Sequence, residues 1–321
     1  MSTPSFFTPV QTDIQLVEDR MRAQAGDAHP DLRAALEHLL SSGGKRIRPT
    51  MGVLIGKMLG GDHETMITLA AAVELLHTAT LVHDDLIDGA LLRRGNPTLN
   101  ARWSSAATVL TGDFMFARAA KLAAETDHLP LMRLFAETLA VIVNGELTQL
   151  FTARGLISRE NYCKRIYAKT ASLFEMLARA AAMVSPVDEA TVEAMRRFGF
   201  ETGMAFQIVD DILDFTGEQA AVGKPIGSDL LQGLVTLPAI HYAESNPEDA
   251  NVRALAAGGW GDRERMERLV QSIRASDAIR LCMEEAGQFM GRAVDILQSM
   301  PPRPEREALE RLAKYIVDRK A

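Results

Sequence analysis

The 321-residue chain has little of what several protein classes depend on. It contains two cysteines, Cys163 and Cys282, which are too few for a disulfide framework or a cysteine-based zinc site. This cysteine content indicates a reducing compartment, and we expect a cytoplasmic protein. Aromatic residues make up only 6% of the chain, and alternating β-branched runs are scarce, so a β-sheet is not indicated.

Long hydrophobic runs and an excess of positive charge are absent as well. No stretch of 18 apolar residues occurs, and the richest one, residues 69–76, contains Glu74, which excludes a transmembrane span. The first residues lack the basic and apolar segments of a secretory signal. The net charge of −7 argues against nucleic acid bound through a generally basic surface.

Most local patterns in the sequence are typical of α-helices. Long stretches without proline are rich in Ala, Leu, Met, Glu and Arg, which are good helix formers. Gly60-Gly61 is typical of a helix end, and Asp62 and Ser158 are typical helix N-caps. No linker or change of composition marks a boundary, so we expect one all-α domain over residues 1–321.

Two short segments carry the pattern Asp-Asp-x-x-Asp inside apolar helical runs. The first contains Asp84, Asp85 and Asp88, and the second contains Asp210, Asp211 and Asp214. Positions i and i+4 share a helix face, so carboxylates lie side by side and repel each other unless a cation lies between them. Oxygen ligands from few side chains suit Mg²⁺, which keeps waters and shares phosphate oxygens. A single segment of this kind is equally consistent with a metal site and with a solvated acidic patch. Two such segments in apolar surroundings favour metal binding.

Short basic groups are candidate contacts for a phosphate ligand. They contain Lys45, Arg48, Arg93, Arg94, Lys169 and Lys224. The segment around Lys45 is not a Walker A loop, and by itself it is typical of an anion site or of a surface loop. His77 lies two turns before Asp84, where a core histidine and a site histidine are equally consistent with the pattern. The sequence offers no Ser-His-Asp, Cys-His or Rossmann pattern.

Taken together, these segments resemble the trans-isoprenyl diphosphate synthases, or polyprenyl synthetases. The matching segments, in family order, are Gly43–Pro49, Glu74–His77, His83–Asp88, Arg93–Gly95, Gly112-Asp113, Gly145-Glu146, Lys169-Thr170, Gln207–Asp214 and Gly223–Pro225. The resemblance implies a single helical bundle around a central cavity, usually a homodimer, with the two aspartate segments facing each other across the cavity mouth.

The resemblance also implies a reaction and a role for each matching residue. An allylic diphosphate would condense with isopentenyl diphosphate and release pyrophosphate, with two or three Mg²⁺ ions held by the six aspartates. The contacts to the allylic diphosphate would come from Arg93, Lys169, Thr170, Gln207 and Lys224. The contacts to isopentenyl diphosphate would come from Lys45, Arg48, His77 and Arg94. Catalysis would depend on Asp84, Asp85, Asp88, Lys169, Asp210, Asp211 and Lys224.

Residues before the first aspartate segment are expected to set the product length. In the family, bulky aromatics one to two turns before this segment give short products. Ala79 and Thr80 are small, and Leu76 lies one layer deeper, so we expect a long all-trans product of about 30–50 carbons. Geranylgeranyl diphosphate synthase is the alternative.

Two further readings compete with a synthase. A class I terpene cyclase shares the ionisation chemistry, but it usually replaces the second aspartate segment and has no isopentenyl diphosphate site. A non-catalytic subunit of a heteromeric synthase often lacks aspartates from these segments. All six aspartates are present here, which favours an active synthase.

Overall fold

The chain folds almost entirely into α-helices. The computed structural model describes residues 5–26, 28–41, 44–93, 95–151, 155–217 and 226–319. The α-helices in chain order are α1 Gln11–Ala23, α2 Pro30–Ser41, α3 Ile47–Leu59, α4 His63–Ile87, α5 Ser105–Ala124, α6 Leu129–Phe151, α7 Arg159–Ile166, α8 Ser172–Met183, α9 Glu189–Thr216, α10 Ser228–Leu231, α11 Leu237–Ser245, α12 Ala250–Ala256, α13 Arg263–Arg274, α14 Ala278–Gln298 and α15 Pro304–Val317. Short 3-10 turns lie at Ser5–Val10, Leu99–Ala101 and Gly259–Gly261, and a π-helical turn lies at Tyr167–Ala171. The all-α prediction is confirmed.

Polar caps begin several helices, as their sequence predicts. Asp62 accepts a hydrogen bond from the backbone N–H of Thr65 at the start of α4, and Ser158 accepts one from Asn161 at the start of α7. Gly60 ends α3 at φ 78°, in the left-handed region that favours glycine. These caps satisfy backbone groups that a helix end leaves without partners.

The helices belong to two compact units, each assembled from three separate stretches of the chain. The first unit contains Met1–Thr138, Glu175–Arg197 and Ile296–Leu312. Helix α4 contributes many of its buried side chains, among them Leu69, Val73 and Leu76, which are almost completely inaccessible to solvent. Each such side chain stabilises the fold by about 1.5–3 kcal/mol through removal of apolar surface from water.

Helix α4 is long and apolar enough to cross a membrane by length and composition alone. The mean hydropathy of its most apolar 18-residue window is 1.5, yet 78% of that window is buried inside the protein. This burial is that of a core helix, because the apolar side chains already pack against protein.

The second unit contains Leu139–Phe174, Phe198–Asp295 and Ala313–Ala321. Its core includes Tyr162 from α7, Phe215 from α9, Leu237 from α11 and Leu269 from α13. Cys282 of α14 belongs to the same core and is a free thiol. Burial raises the pKa of this thiol, so it packs as a small apolar group.

The described residues also contain one short hairpin, which the sequence did not predict as strand. Strand β1, Leu92–Arg93, pairs antiparallel with β2, Asn96–Pro97, and Gly95 has φ 77°. Two residues per strand are too few for a period-two pattern to reveal them.

Candidate active site

The first aspartate segment lies at the carboxyl end of α4. Asp84 and Asp85 occupy its last turn and Asp88 is its C-cap. A helix carries partial negative charge at this end, so three added carboxylates repel both each other and the helix dipole. No basic residue lies in this last turn, and a cation from outside the helix would therefore bind here favourably.

Arg93 of the hairpin neutralises one of these carboxylates. Its Nε lies 2.9 and 3.0 Å from Asp85 Oδ1 and Oδ2, and its Nη2 lies 2.8 Å from Oδ1. Asp85 is buried, whereas Asp88 is exposed and Asp84 is intermediate. The segment is thus divided between one buried aspartate that anchors Arg93 and two more accessible aspartates.

Contacts with α4 and α2 hold the hairpin in place. Thr98 Oγ1 and Asn100 Nδ2 donate hydrogen bonds to the carbonyl of Ala90 just after α4, and His38 Nε2 lies 2.8 Å from the carbonyl oxygen of Pro97. Gly112 of α5 packs directly against the His83 ring, leaving no room for a Cβ. The matching segment Gly112-Asp113 therefore has a packing role beside the aspartates.

The second aspartate segment lies in the last two turns of α9, where the last turn again has no basic residue. Asp210 Oδ1 accepts from Arg319 Nη1 at 2.8 Å. The Arg319 side chain is buried, lies 4.0 Å over the Phe206 ring, and also donates to the carbonyl of Phe206. Arg319 thus fixes one carboxylate of the segment from outside α9.

Asp211 is the most enclosed of the six aspartates. Tyr162 donates to its Oδ2 and Gln207 Nε2 donates to its Oδ1, both at 2.8 Å. Burial, together with the nearby charge of Asp229, raises the pKa of Asp211 to about 7, against the opposing effect of the two donors. Asp211 therefore acts in this structure as an anchor for Gln207.

Asp214 holds the chain segment that begins α10. Its carboxylate accepts from the backbone N–H and the hydroxyl of Ser228 and from the backbone N–H of Asp229. The carbonyl of Asp214 also accepts from Gly227 N–H at 2.8 Å.

Lys169 and Thr170 lie in the π-helical turn between α7 and α8. Lys169 Nζ lies 2.9 Å from Glu146 Oε1, and Thr170 Oγ1 donates to Gln207 Oε1 at 2.6 Å. Since Gln207 also binds Asp211, a continuous hydrogen-bond chain joins Thr170 to the second aspartate segment. π-helical turns inside α-helices are frequent at functional sites.

The basic segment forms the start of α3 and is tied to the first unit through Arg46. Lys45 is exposed, and Arg48 lies in the first turn of α3 with intermediate exposure. Arg46 forms ion pairs with Glu18 and Glu74, and Glu74 lies one turn before His77 on α4. Lys45, Arg48 and His77, predicted to share a ligand, therefore belong to one connected part of the first unit.

The residues expected to set the product length are buried or half-buried in α4. Ala79 and Leu76 are fully buried, and Thr80 is half-buried with its hydroxyl bonded to the His77 carbonyl. Two further predicted site residues, Arg94 and Lys224, lie outside the described residues.

A metal site made by protein groups alone is not formed in the described part of the chain. No three His, Cys, Asp or Glu side chains there come close enough together to hold an ion. Mg²⁺ commonly uses one or two carboxylates, with water and substrate phosphates as its other ligands.

Sequence reasoning missed several residues that support the site. Tyr162, Arg319, Asp229 and Ser228 contact the second aspartate segment, and Arg46 was assigned no role. No local pattern identifies Tyr162 or Arg319, because their partners lie 49 and 109 residues away. Arg46 could have been found, since it lies between two predicted phosphate contacts.

Comparison with known proteins agrees with the family resemblance that the sequence motifs indicate. Residues 29–273 match the family model described as polyprenyl synthetase. The octaprenyl diphosphate synthase of Haemophilus influenzae is 36% identical, with 96% of this chain and 94% of the relative covered. The heptaprenyl diphosphate synthase component 2 of Geobacillus stearothermophilus is 37% identical, with 98% of each chain covered.

A solved structure shares the fold over the full length. It is the crystal structure of a polyprenyl synthase from Caulobacter crescentus, complexed with calcium and isoprenyl diphosphate. The TM-score is 0.92, the identity is 36%, and 100% of both chains is covered.

Proposed function

Because the chain belongs to the polyprenyl synthetase family, we propose that it condenses isopentenyl diphosphate with an allylic diphosphate and makes a long all-trans polyprenyl diphosphate. The relatives named octaprenyl and heptaprenyl diphosphate synthase support a medium or long product. The small residues Ala79 and Thr80 support the same range, about 30–50 carbons.

One observation supports this proposal most directly. Each aspartate triplet lies at the carboxyl end of a long helix whose last turn has no basic residue. Negative charge therefore accumulates at the carboxyl ends of α4 and α9. Carboxylate oxygens suit a hard divalent cation, and the donor set therefore fits magnesium. We propose that the six aspartates hold two or three Mg²⁺ ions together with the allylic diphosphate. When bound, the metal supplies Lewis-acid stabilisation of the departing pyrophosphate.

The protein's own cations act on the same leaving group. Arg93 and Lys169 are proposed to bind diphosphate oxygens, where their charge stabilises the negative charge that develops as the allylic C–O bond breaks. Thr170 and Gln207 add hydrogen bonds, and their mutual bond holds both side chains in a fixed orientation. Lys224 keeps the same predicted role.

The second substrate is oriented by the basic segment of the first unit. Lys45, Arg48, His77 and Arg94 are proposed to bind the diphosphate of isopentenyl diphosphate. This positions its double bond to donate an electron pair to the allylic carbon, forming the new C–C bond. A proton then leaves the condensed product, and we propose that the released pyrophosphate accepts it.

We further propose a cytoplasmic homodimer in which both units form one catalytic domain. The family match at residues 29–273 includes parts of both units, which supports a single domain. An exposed apolar stripe on α6 supports self-association: Val143, Leu147, Leu150 and Phe151 are 45–85% exposed. The free thiols of Cys163 and Cys282 are consistent with a reducing compartment.

The experiment that tests the function is a product assay on the purified chain. Labelled isopentenyl diphosphate and Mg²⁺ are incubated with dimethylallyl, geranyl or farnesyl diphosphate in turn, and the products are sized by chromatography. We expect linear products that require the metal. Asp84→Asn should lower turnover about 10²-fold or more, whereas Asp19→Asn, on the exposed surface of α1, should not.

Each other outcome identifies a competing reading. A cyclic hydrocarbon without use of isopentenyl diphosphate would indicate a terpene cyclase, and a product of four isoprene units would indicate geranylgeranyl diphosphate synthase. No turnover by the pure chain would indicate a subunit that needs a second component; the Geobacillus relative is named component 2 of a heptaprenyl diphosphate synthase.

A further inference from the structure

We propose that Arg46 is a positioning residue for the isopentenyl diphosphate half of the site. In this role it holds Lys45 and Arg48 at a fixed place relative to His77 and does not itself bind the substrate. The inference rests on the proposed function, because it assigns a role within that reaction.

The Arg46 guanidinium joins three separate helices. Its Nε lies 2.8 Å from Glu18 Oε1 of α1, and its Nη1 lies 3.1 Å from Glu74 Oε1 of α4. Its Nη2 donates to the carbonyl of Leu40 near the end of α2 at 3.0 Å. Because all three nitrogens bond to protein and the side chain is only 11% exposed, the guanidinium is committed to these helices.

The backbone of Arg46 connects this anchor to the predicted substrate contacts. Its φ of 42° and ψ of 33° lie in the left-handed region, which non-glycine residues rarely adopt. Arg46 is also the N-cap of α3. Lys45 therefore lies just before this left-handed residue, and Arg48 lies just after it in the first helical turn. The three side-chain bonds hold this strained conformation and thereby set the directions of the chain on both sides.

Glu74 links the anchor to the third predicted contact. Glu74 and His77 are three residues apart on α4 and are neighbours on one face of the helix. The Glu74 side chain is 7% exposed. Removal of either Glu74 or Arg46 would therefore leave the other as a buried charge without this partner, which destabilises the fold. The pair therefore fixes the start of α3 against the turn of α4 that carries His77.

A purely structural ion pair would give a different experimental result. Its loss would lower stability and the fraction of active enzyme, with equal effects for both substrates. Loss of a positioning contact changes the placement of Lys45 and Arg48 and raises the KM for isopentenyl diphosphate selectively. The ratio of the two KM values therefore separates the roles.

The test uses the full-length chain with three variants at the anchor. Arg46→Gln and Glu74→Gln should each raise the KM for isopentenyl diphosphate about 10-fold or more, with the KM for the allylic diphosphate within about 3-fold. Arg46→Lys keeps the charge but has one nitrogen in place of the three that reach Glu18, Glu74 and Leu40, so it should give an intermediate effect. Equilibrium dialysis of labelled isopentenyl diphosphate should give the same order of affinity.

Arg22→Gln is the matched control. Arg22 also pairs with Glu18, but on the surface of α1, with Asp19 and Glu37 as its other partners. We expect both of its KM values to match those of the unmodified chain. Circular dichroism and thermal melting confirm that each variant is folded, and if Arg46→Gln does not fold, Arg46→Lys and Glu74→Gln decide the matter.

The inference fails if folded anchor variants keep the KM for isopentenyl diphosphate within twofold, or if both KM values rise together. Turnover by the unmodified chain shows whether the proposed function itself holds. If the unmodified chain is active and the anchor variants keep its KM values, only the role of Arg46 is overturned. If the unmodified chain is inactive, the proposed function is overturned.

Discussion

At the scale of single residues, the six aspartates have different surroundings despite their matching pattern. An arginine binds Asp85 and another binds Asp210. A tyrosine and a glutamine bind Asp211, and backbone N–H groups bind Asp214. The pattern predicts neighbouring carboxylates within each segment but not these partners, because the partners come from elements distant in the chain. The two segments were predictable, and the division of roles within them was not.

Tyr162 tests the anchor at Asp211. Tyr162→Phe removes the hydroxyl that donates to Asp211 and leaves the buried ring in place. Asp211 then keeps the donor Gln207 but loses the donor Tyr162, and we expect Gln207 and Thr170 to become less ordered. Turnover should fall about 10-fold, and the unfolding free energy should fall by about 1–3 kcal/mol.

Steady-state kinetics with varied allylic diphosphate and urea unfolding measure these two effects. Tyr315→Phe, a tyrosine of α15, provides a comparison with the same chemical change at another place. Unchanged turnover in a folded Tyr162→Phe enzyme would show that the hydrogen-bond chain to Thr170 is not needed for the reaction.

Ala79 tests the assignment of product length. Ala79→Phe places a bulky side chain five residues before Asp84, where the product is proposed to grow, and it should shorten the main product by several isoprene units. Because Ala79 is fully buried, overpacking should also cost about 1–3 kcal/mol of stability. Thr80→Phe, at a half-buried position, gives a second measurement with less crowding.

Chromatography of the dephosphorylated products measures the chain length. If both phenylalanine variants fold and still make the full-length product, residues 79 and 80 do not line the growing chain.

At the scale of elements, helix boundaries were largely readable and helix irregularities were not. The caps at Asp62 and Ser158 and the helix end at Gly60 follow from local chemistry, which the sequence displays directly. The π-helical turn at Tyr167–Ala171 has no such local signal, because its residues look like ordinary α-helix in the sequence. The turn carries Lys169 and Thr170, and its shape therefore matters for the site.

Gly203 tests the packing of that turn. A Cβ at Gly203 of α9 would lie 2.6 Å from Ala171 Cα and 2.9 Å from Ala171 Cβ. Gly203→Ala should push α9 and the π-helical turn apart, lower the unfolding free energy by about 1–3 kcal/mol and raise the KM for the allylic diphosphate.

Gly291→Ala is the matched control, because Gly291 lies in α14 with no atom within 4 Å of a new Cβ. It should leave the kinetics unchanged and add about 0.5–1 kcal/mol of stability through helix propensity. Equal melting temperatures for the two variants would contradict the close approach of α9 to the π-helical turn.

At the scale of the whole molecule, the apolar stripe of α6 gives a prediction about assembly. Leu147→Glu combined with Leu150→Glu places two charges within the stripe and should convert a dimer into a monomer. Light scattering after size-exclusion chromatography measures the mass. The unmodified chain and Leu16→Glu, a change at an exposed leucine of α1, should both give the dimer mass.

A dimer mass for the double variant would place the contact elsewhere, and a monomer mass for the unmodified chain would contradict self-association. If the double variant is monomeric and inactive, assembly and activity are linked. If it is monomeric and active, each chain works alone.

The arrangement of the two units also limits how this gene can be divided. Each unit consists of three stretches that are separated along the polypeptide. No pair of cut sites therefore releases either one as an uninterrupted fragment, and expression of the first or second half should yield truncated, insoluble material. Ribosomes must also deliver residue 296 and those after it before the first unit has all of its pieces.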